Sequence, residues 1–208
     1  FFNIRFYFVK SFNYGAHMFA FKNKYYLIIE NIKDIDLSNV KIMNKFNIIY
    51  RNTNNILNLD DLSKFRKNCR KKKINFFVSN NYRLTSYLKA DGLYISAHNQ
   101  DLRLAKFKNS KYKIIGSAHN LKEINIKILQ GCSNILFSRL FKTSYAHKND
   151  FLGVVKYNLF NISSKIDLVP LGGIRINNLN KISMIKCDSF ALLSEVKKKP
   201  TNLFSRLF

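Results

Sequence analysis

Tyr112-Lys113-Ile114-Ile115-Gly116, a helix-length stretch from Leu121 to Gln130, and Asn134-Ile135-Leu136-Phe137 follow one another with only short polar breaks. The outer runs are short, apolar and rich in β-branched residues, which reads as two strands. In the middle stretch Leu121, Ile124, Ile128 and Leu129 share one helical face, Lys122, Glu123 and Lys127 take the other, and Asn120 stands ready as an N-cap. Strand, helix, strand at this spacing is a βαβ unit, which makes the two strands parallel neighbours.

The same alternation extends in both directions. Tyr25 to Ile29, Asn47 to Tyr50, Ile74 to Val78 and Gly92 to Ile95 supply four earlier strands; Asp167 to Leu171 and Phe190 to Leu193 supply two later ones. Each is nearly continuously apolar, as expected of strands covered on both faces. Further helices are expected from Asp60 or Asp61 through the basic run, from Asn99 through Leu102 and Leu104, and from Asn177 through Leu179, Ile182 and Ile185. Eight such units predict an α/β fold, a single (β/α)8 TIM barrel with an eight-stranded parallel sheet. An open doubly wound sheet is the runner-up. The chain divides into an N-terminal extension, 1–23, and the barrel, 24–208.

Composition narrows the partners. With 47% hydrophobic and 23% charged residues the chain can bury a core, and 36 Lys and Arg against 12 Asp and Glu give a net charge of +24. An anionic partner is expected. Abundant Asn, Lys, Ile, Phe and Tyr with two Pro and no Trp is also what an AT-rich genome yields in any fold, so part of that charge is compositional. The densest run, Arg66 to Lys73, supports a nucleic-acid-binding alternative, but no aromatic residue interleaves with it to stack bases, and a solvated helix face is preferred. Phosphorylated small molecules are therefore the expected partners. No apolar run reaches membrane-spanning length, and Arg5 interrupts the apolar opening Phe1 to Val9. Cys69, Cys132 and Cys187 form no CxxC pair, which fits a reducing, cytoplasmic location. Oligomeric state is left open.

In a barrel of this kind the ligand sits at the C-terminal ends of the strands, commonly with phosphate held after strands seven and eight. Leu171-Gly172-Gly173-Ile174-Arg175 follows the seventh strand, and its paired glycines let backbone N–H groups approach phosphate oxygens. Ser194 follows the eighth at the expected start of a helix. Together at these two positions they predict a phosphate site.

Five segments in register then resemble one family, thiamine phosphate synthase with its sister thiazole tautomerase. They are Ala90-Asp91-Gly92-Leu93-Tyr94-Ile95, Ile114 to Glu123, Phe137-Ser138-Arg139-Leu140-Phe141-Lys142-Thr143, Val169-Pro170-Leu171-Gly172-Gly173-Ile174, and Ala191-Leu192-Leu193-Ser194. They are similar to the family's ADGxHL, IIGxSxHxxEE, xGxxFxT, xxxIGGI and AVxS segments, and the likeness spans roughly residues 24 to 197. It implies a transferase of thiamine biosynthesis that joins hydroxymethylpyrimidine diphosphate to thiazole phosphate and releases pyrophosphate with the help of Mg2+. By this resemblance Arg51 and Ser117 are the catalytic residues. Arg51, Asn80, Asn81, Thr143, Gly172, Gly173 and Ser194 bind substrate phosphates, and Asp101 is a metal ligand.

The departures fall on one side of that site. Ile49 and Thr53 stand where the family has Gln and Lys, and Asn80-Asn81 replaces an Asn-Asp pair. The loop from Ser96 to Asp101 is longer than the family's, and Ala146 replaces a Lys for which His147 or Lys148 could substitute. Arg139 occupies the tautomerase histidine position, and an arginine is a poor general base. His119 reads as a structural hydrogen-bonding residue. The diphosphate and metal side is thus depleted while the monophosphate side is kept. Impaired synthase activity is one consequence, and a non-catalytic barrel that binds thiamine or thiazole phosphate is the alternative.

Overall fold

Short apolar runs buried on both faces close here into a ring. The computed structural model describes residues 24–40, 44–52, 58–143 and 150–193. Residues 1–23, Thr53, Ala146, His147, Lys148, Ser194 and the tail, for which expectations were given above, lie outside them. The strands are β1 (Lys24–Ile29), β2 (Phe46–Tyr50), β3 (Asn75–Ser79), β4 (Gly92–Ile95), β5 (Lys113–Ala118), β6 (Asn134–Ser138), β7 (Asp167–Leu171) and β8 (Ser189–Leu192). All are parallel, in the closed order β1 to β8. The closure is a β1–β8 ladder that sets Tyr25 beside Phe190 and Leu27 beside Leu192. This is the (β/α)8 barrel, and the open sheet is excluded.

Period-two alternation sorts the strand residues into two cores. Tyr26, Ile28, Ile49, Phe77, Tyr94, Ile115, Leu136, Val169 and Ala191 pack together inside the barrel. Tyr25, Leu27, Ile48, Phe76, Ile114, Ile135 and Leu168 belong to the outer core under the helices. The barrel centre is therefore filled with side chains, and a ligand can sit only at an end.

The connections differ from expectation in instructive ways. Helix α1 (Leu59–Lys71) is capped by Asn58, whose side chain accepts from the N–H groups of Asp60 and Asp61. The two aspartates lie one step inside, where they favour the helix dipole. Its buried residues are Leu62, Phe65, Arg66 and Cys69. Arg66 thus leaves the basic run for the interior, donating to Asp91 Oδ1 at 3.0 Å and to the Lys89 carbonyl at 3.1 Å. Helix α2 (Tyr82–Tyr87) starts at an Asn81 cap. The connections after β4 and β7 are 3₁₀ segments, Leu102–Phe107 behind Asp101 and Ile176–Met184 behind Arg175, rather than α-helices capped by Asn99 and Asn177.

Helix α3 (Leu121–Leu129) has the expected Asn120 cap but presents a different face. Ile124 and Lys127 are its buried residues, while Leu121, Ile128 and Leu129 are 57%, 38% and 64% exposed. Gly116 makes the room, since a Cβ there would stand 2.9 Å from Lys127 Cδ. The Lys127 ammonium donates to the Asn99 carbonyl at 2.6 Å and to Gln130 Oε1 at 2.9 Å, so two of its three N–H groups are answered within the protein. The lysine so anchors the longer loop after β4. Helix α4 (Gly153–Ser163) precedes β7. Among the described residues no helix is long and apolar enough to cross a membrane.

Candidate functional site

The inward-facing series of each strand ends at the C-terminal rim: Ile28 is followed by Glu30, Ile49 by Arg51, Ile115 by Ser117 and Leu136 by Ser138. A cleft of about 280 Å³ opens there. Arg51, His119, Ser138, Arg139, Thr143, the turn Leu171 to Arg175, and Ala191 to Leu193 line it. Of the residues singled out from sequence, Arg51, Thr143, Gly172 and Gly173 meet in this one cleft. The end of β8 joins them through Leu193, the last described residue before Ser194.

The glycine turn is shaped by close packing against the loop after β6. Gly172 and Gly173 have φ of +94° and +69°. A Cβ on Gly173 would lie 2.4 Å from the Phe141 carbonyl oxygen. Phe141 N–H donates to the Gly172 carbonyl at 3.0 Å, Leu140 N–H to the Leu171 carbonyl at 2.9 Å, and Asn178 Nδ2 to the Gly173 carbonyl at 2.8 Å. These bonds lace the β6 and β7 loops together and fix Thr143 and Arg139 beside the turn. Thr143 Oγ1 is buried and has no hydrogen-bond partner among the described residues. A buried hydroxyl without a partner is costly unless a ligand or solvent answers it.

Arg51 extends the β2 ladder, its N–H donating to the Ile29 carbonyl at 2.8 Å. Its guanidinium pairs with Glu30 through Nη2, whereas the buried Nε lacks a partner among the described residues. Sequence reading passed over Glu30, although the count of two from Ile28 that orients Arg51 from Ile49 also turns Glu30 inward. Ser117 lies deeper. It is buried and hydrogen-bonded to the Tyr94 hydroxyl, which burial pushes above its ordinary pKa despite that bond and the nearby Arg51 charge.

His119 reaches the cleft edge with its ring held by a carboxylate. Its N–H donates to Glu123 Oε2 at 2.7 Å, its Nδ1 lies 3.0 Å from the same oxygen, and its ring stacks on His98 at 6.0 Å between centroids. Burial works to raise the Glu123 pKa, but hydrogen bonds from the His119 backbone and ring and from Asn120 outweigh it and hold the carboxyl below its ordinary 4.5. A depressed carboxylate contributes stability that is complete above the unfolded-state value and is lost as pH falls through the folded one. Stability measured by denaturant unfolding between about pH 5 and 3 is therefore expected to fall less steeply in Glu123→Gln than in the parent; equal slopes would contradict the assignment.

The remaining candidates are placed elsewhere. Asn81 uses its side-chain oxygen to cap α2 through Leu84 N–H at 2.9 Å. Asn80 Oδ1 accepts from Ser96 N–H at 3.0 Å and from Asn99 Nδ2 at 3.2 Å, while Asn80 Nδ2 donates to Ser96 Oγ at 2.8 Å. Asp101 holds Arg103 through both oxygens at 2.9 and 3.0 Å. That contact, led by the hydrogen bond from the guanidinium, keeps its pKa low. Among the described residues no three His, Cys, Asp or Glu side chains gather where they could hold a metal ion.

Comparison with known proteins bears on this site. A family model described as thiamine monophosphate synthase matches residues 45–196. The thiamine-phosphate synthase of Pelagibacter ubique is 29% identical over 198 residues, covering 88% of this chain and 94% of that protein. That of Prochlorococcus marinus strain SARG is 25% identical over 122 residues, 58% of this chain and 35% of that protein. A second Prochlorococcus marinus synthase, from subspecies pastoris, is 26% identical over 168 residues, 80% of this chain and 47% of that protein. The chain thus spans between a third and a half of the length of these two relatives. Among solved structures, thiamine phosphate pyrophosphorylase from Pyrococcus furiosus superposes with a TM-score of 0.72 at 19% identity, covering 90% of this chain and 94% of that one. An Escherichia coli aldolase, YdjI, reaches 0.62 at 10% identity over 93% and 95% of the two chains. Both likenesses speak for the fold.

Proposed function

We propose, for a chain that belongs to the thiamine monophosphate synthase family, a transferase that joins hydroxymethylpyrimidine diphosphate to thiazole phosphate. The observation that carries the reading is the buried, unpartnered Thr143 hydroxyl beside the positive-φ glycine turn in a cleft that also holds the unpartnered Nε of Arg51. Backbone N–H groups of the turn and Thr143 Oγ1 bind the monophosphate of the thiazole. Arg51 binds the diphosphate of the pyrimidine. The thiazole nitrogen then attacks the methylene carbon of the pyrimidine, the carbon–oxygen bond to diphosphate breaks, and pyrophosphate departs with the electron pair. Charge on the departing group is what Arg51 stabilises. Ser117 is buried beneath the cleft and does not line it, so no contact with the substrate is given to it.

Magnesium is implied by the resemblance, but among the described residues no set of carboxylate or histidine donors gathers to hold it. The Asp101 oxygens are committed to Arg103, and the Asn80 oxygen already accepts two hydrogen bonds. No step is assigned to a metal. The same observation favours a second reading, a barrel that binds thiazole or thiamine phosphate without turnover. Three free cysteines suit a cytoplasmic location, which is part of the proposal.

A coupled pyrophosphate-release assay separates the two readings. The parent is expected to release pyrophosphate only when both substrates are present, and Arg51→Ala to lose roughly 10² of that rate. Asn81→Asp, which restores a carboxylate where the family has one, is expected to make the rate respond to magnesium. No release by a parent protein that still binds thiazole phosphate would leave the non-catalytic reading standing.

A further inference from the structure

We propose that the outer face of α3 and α4 is an interface with a second copy of this chain, related to the first by a two-fold axis. On α4, Val155, Leu159 and Ile162 recur at i, i+4 and i+7, the spacing that sets residues on one helical face. That face is turned away from the fully buried Tyr157, and its three residues are 74%, 64% and 68% exposed. On α3, Leu121, Ile128 and Leu129 are exposed as well. A groove of about 420 Å³ runs between the two helices, with Leu121, Ile124, Ile128 and Leu129 on one wall and Phe160 on the other. Phe160 neighbours Leu159 on α4, so the stripe and the groove form one surface.

The size and chemistry of that surface fit a copy of itself. The six exposures together equal those of between three and four fully exposed residues, roughly 600 Å² at the size of Leu or Ile, the upper end for the largest apolar patch of a monomer. That is most of the ~800 Å² per partner that a standard stable interface buries. Between Phe151 and Ser164 the chain has one charged residue, Lys156, although 23% of the whole chain is charged. Depletion of charge marks the core of an interface between proteins, whereas a helix face that settles on an anionic bilayer is rich in Lys and Arg. The low local charge matters, because the net charge of +24 acts to hold two copies apart. A two-fold axis also lets the stripe of each copy enter the groove of the other, so that ridge and hole meet twice in one interface.

Sedimentation velocity of the full chain, from low micromolar concentrations to about 100 μM, tests this at physiological ionic strength. A reversible monomer–dimer equilibrium is expected, weakened about 100-fold or more in Leu159→Lys and in Ile162→Lys, since each variant buries two uncompensated lysines per dimer. Both positions are exposed in the single chain, so both variants are expected to fold, and a circular dichroism spectrum equal to that of the parent checks this. Tyr87→Lys, at a position 60% exposed at the end of α2, is expected to associate as the parent does. A parent that stays monomeric throughout would overturn the proposal. In that case, binding to phosphatidylglycerol vesicles that is lost in Leu159→Lys would assign the face to a bilayer, and a lowered melting temperature in that variant would assign it to another segment of the same chain. A dimer that both variants leave intact would place the contact elsewhere and overturn the proposal too.

Discussion

Gly173→Ala is expected to destabilise the protein by about 2–5 kcal/mol. About 1–2 kcal/mol of this comes from forcing a side chain into the left-handed region, and about 1–3 kcal/mol from overpacking. The added methyl would sit 2.4 Å from the Phe141 carbonyl oxygen, 2.6 Å from its carbon and 2.7 Å from the Lys142 carbonyl oxygen. All three are backbone atoms, which cannot swing aside as a side-chain end can. Relief must come from parting the β6 and β7 loops, which breaks the laced hydrogen bonds and moves Thr143. Gly153→Ala is the control: its φ is +68°, but a Cβ there meets nothing within 4 Å. Thermal unfolding followed by circular dichroism should show the Gly173 variant melting well below the Gly153 variant, and equal melting temperatures would contradict the packing account.

Arg51→Ala is expected to weaken phosphate-ligand binding by roughly 10- to 100-fold, the range for a charged hydrogen bond lost in a sheltered site. Because Arg51 also neutralises Glu30, a purely structural role must be distinguished. Glu30→Gln removes the ion pair while leaving the guanidinium in place. If Arg51 serves the ligand, Glu30→Gln binds inorganic pyrophosphate, the probe for the diphosphate that Arg51 holds, at least as tightly as the parent. If Arg51 serves only its carboxylate, both variants lose affinity together. Titration calorimetry on the two variants decides between these outcomes. Arg51→Lys is expected to recover little, since an ammonium cannot present two parallel donors.

The strands were readable because a barrel strand is apolar on both faces: Ile114 and Ile115, on opposite sides of β5, are both buried. Element type in the connections was less readable. Leu102–Phe107 and Ile176–Met184 carry apolar spacings compatible with an α-helix, yet both wind as 3₁₀ segments. Helix α4 escaped notice because Val155, Leu159 and Ile162 are exposed and apolar, so no clean polar face marks it. The orientation of α3 could not be read from α3 alone. Lys127 turns inward only because Gly116 on β5 leaves space and the Asn99 carbonyl accepts its proton, and both facts belong to other segments.

The cleft itself was half legible. Gly172, Gly173, Thr143 and Arg51 stand in recognisable segments, and the fold brings them together. The commitments of Asn80, Asn81 and Asp101 were hidden. Each residue type suits a substrate or metal contact, and each is instead engaged in a turn or cap by a partner within the same or the adjoining loop.

The central claim is that the rim joining the ends of β2, β6, β7 and β8 grips a phosphorylated thiazole. Titration of the parent and of Thr143→Val with thiazole phosphate tests it most directly. The account predicts one-to-one binding by the parent in the micromolar to millimolar range and a loss of about tenfold in Thr143→Val, as a charge-assisted bond to the buried hydroxyl is removed. Absence of saturable heat at millimolar ligand, or equal affinity in the two proteins, would contradict it.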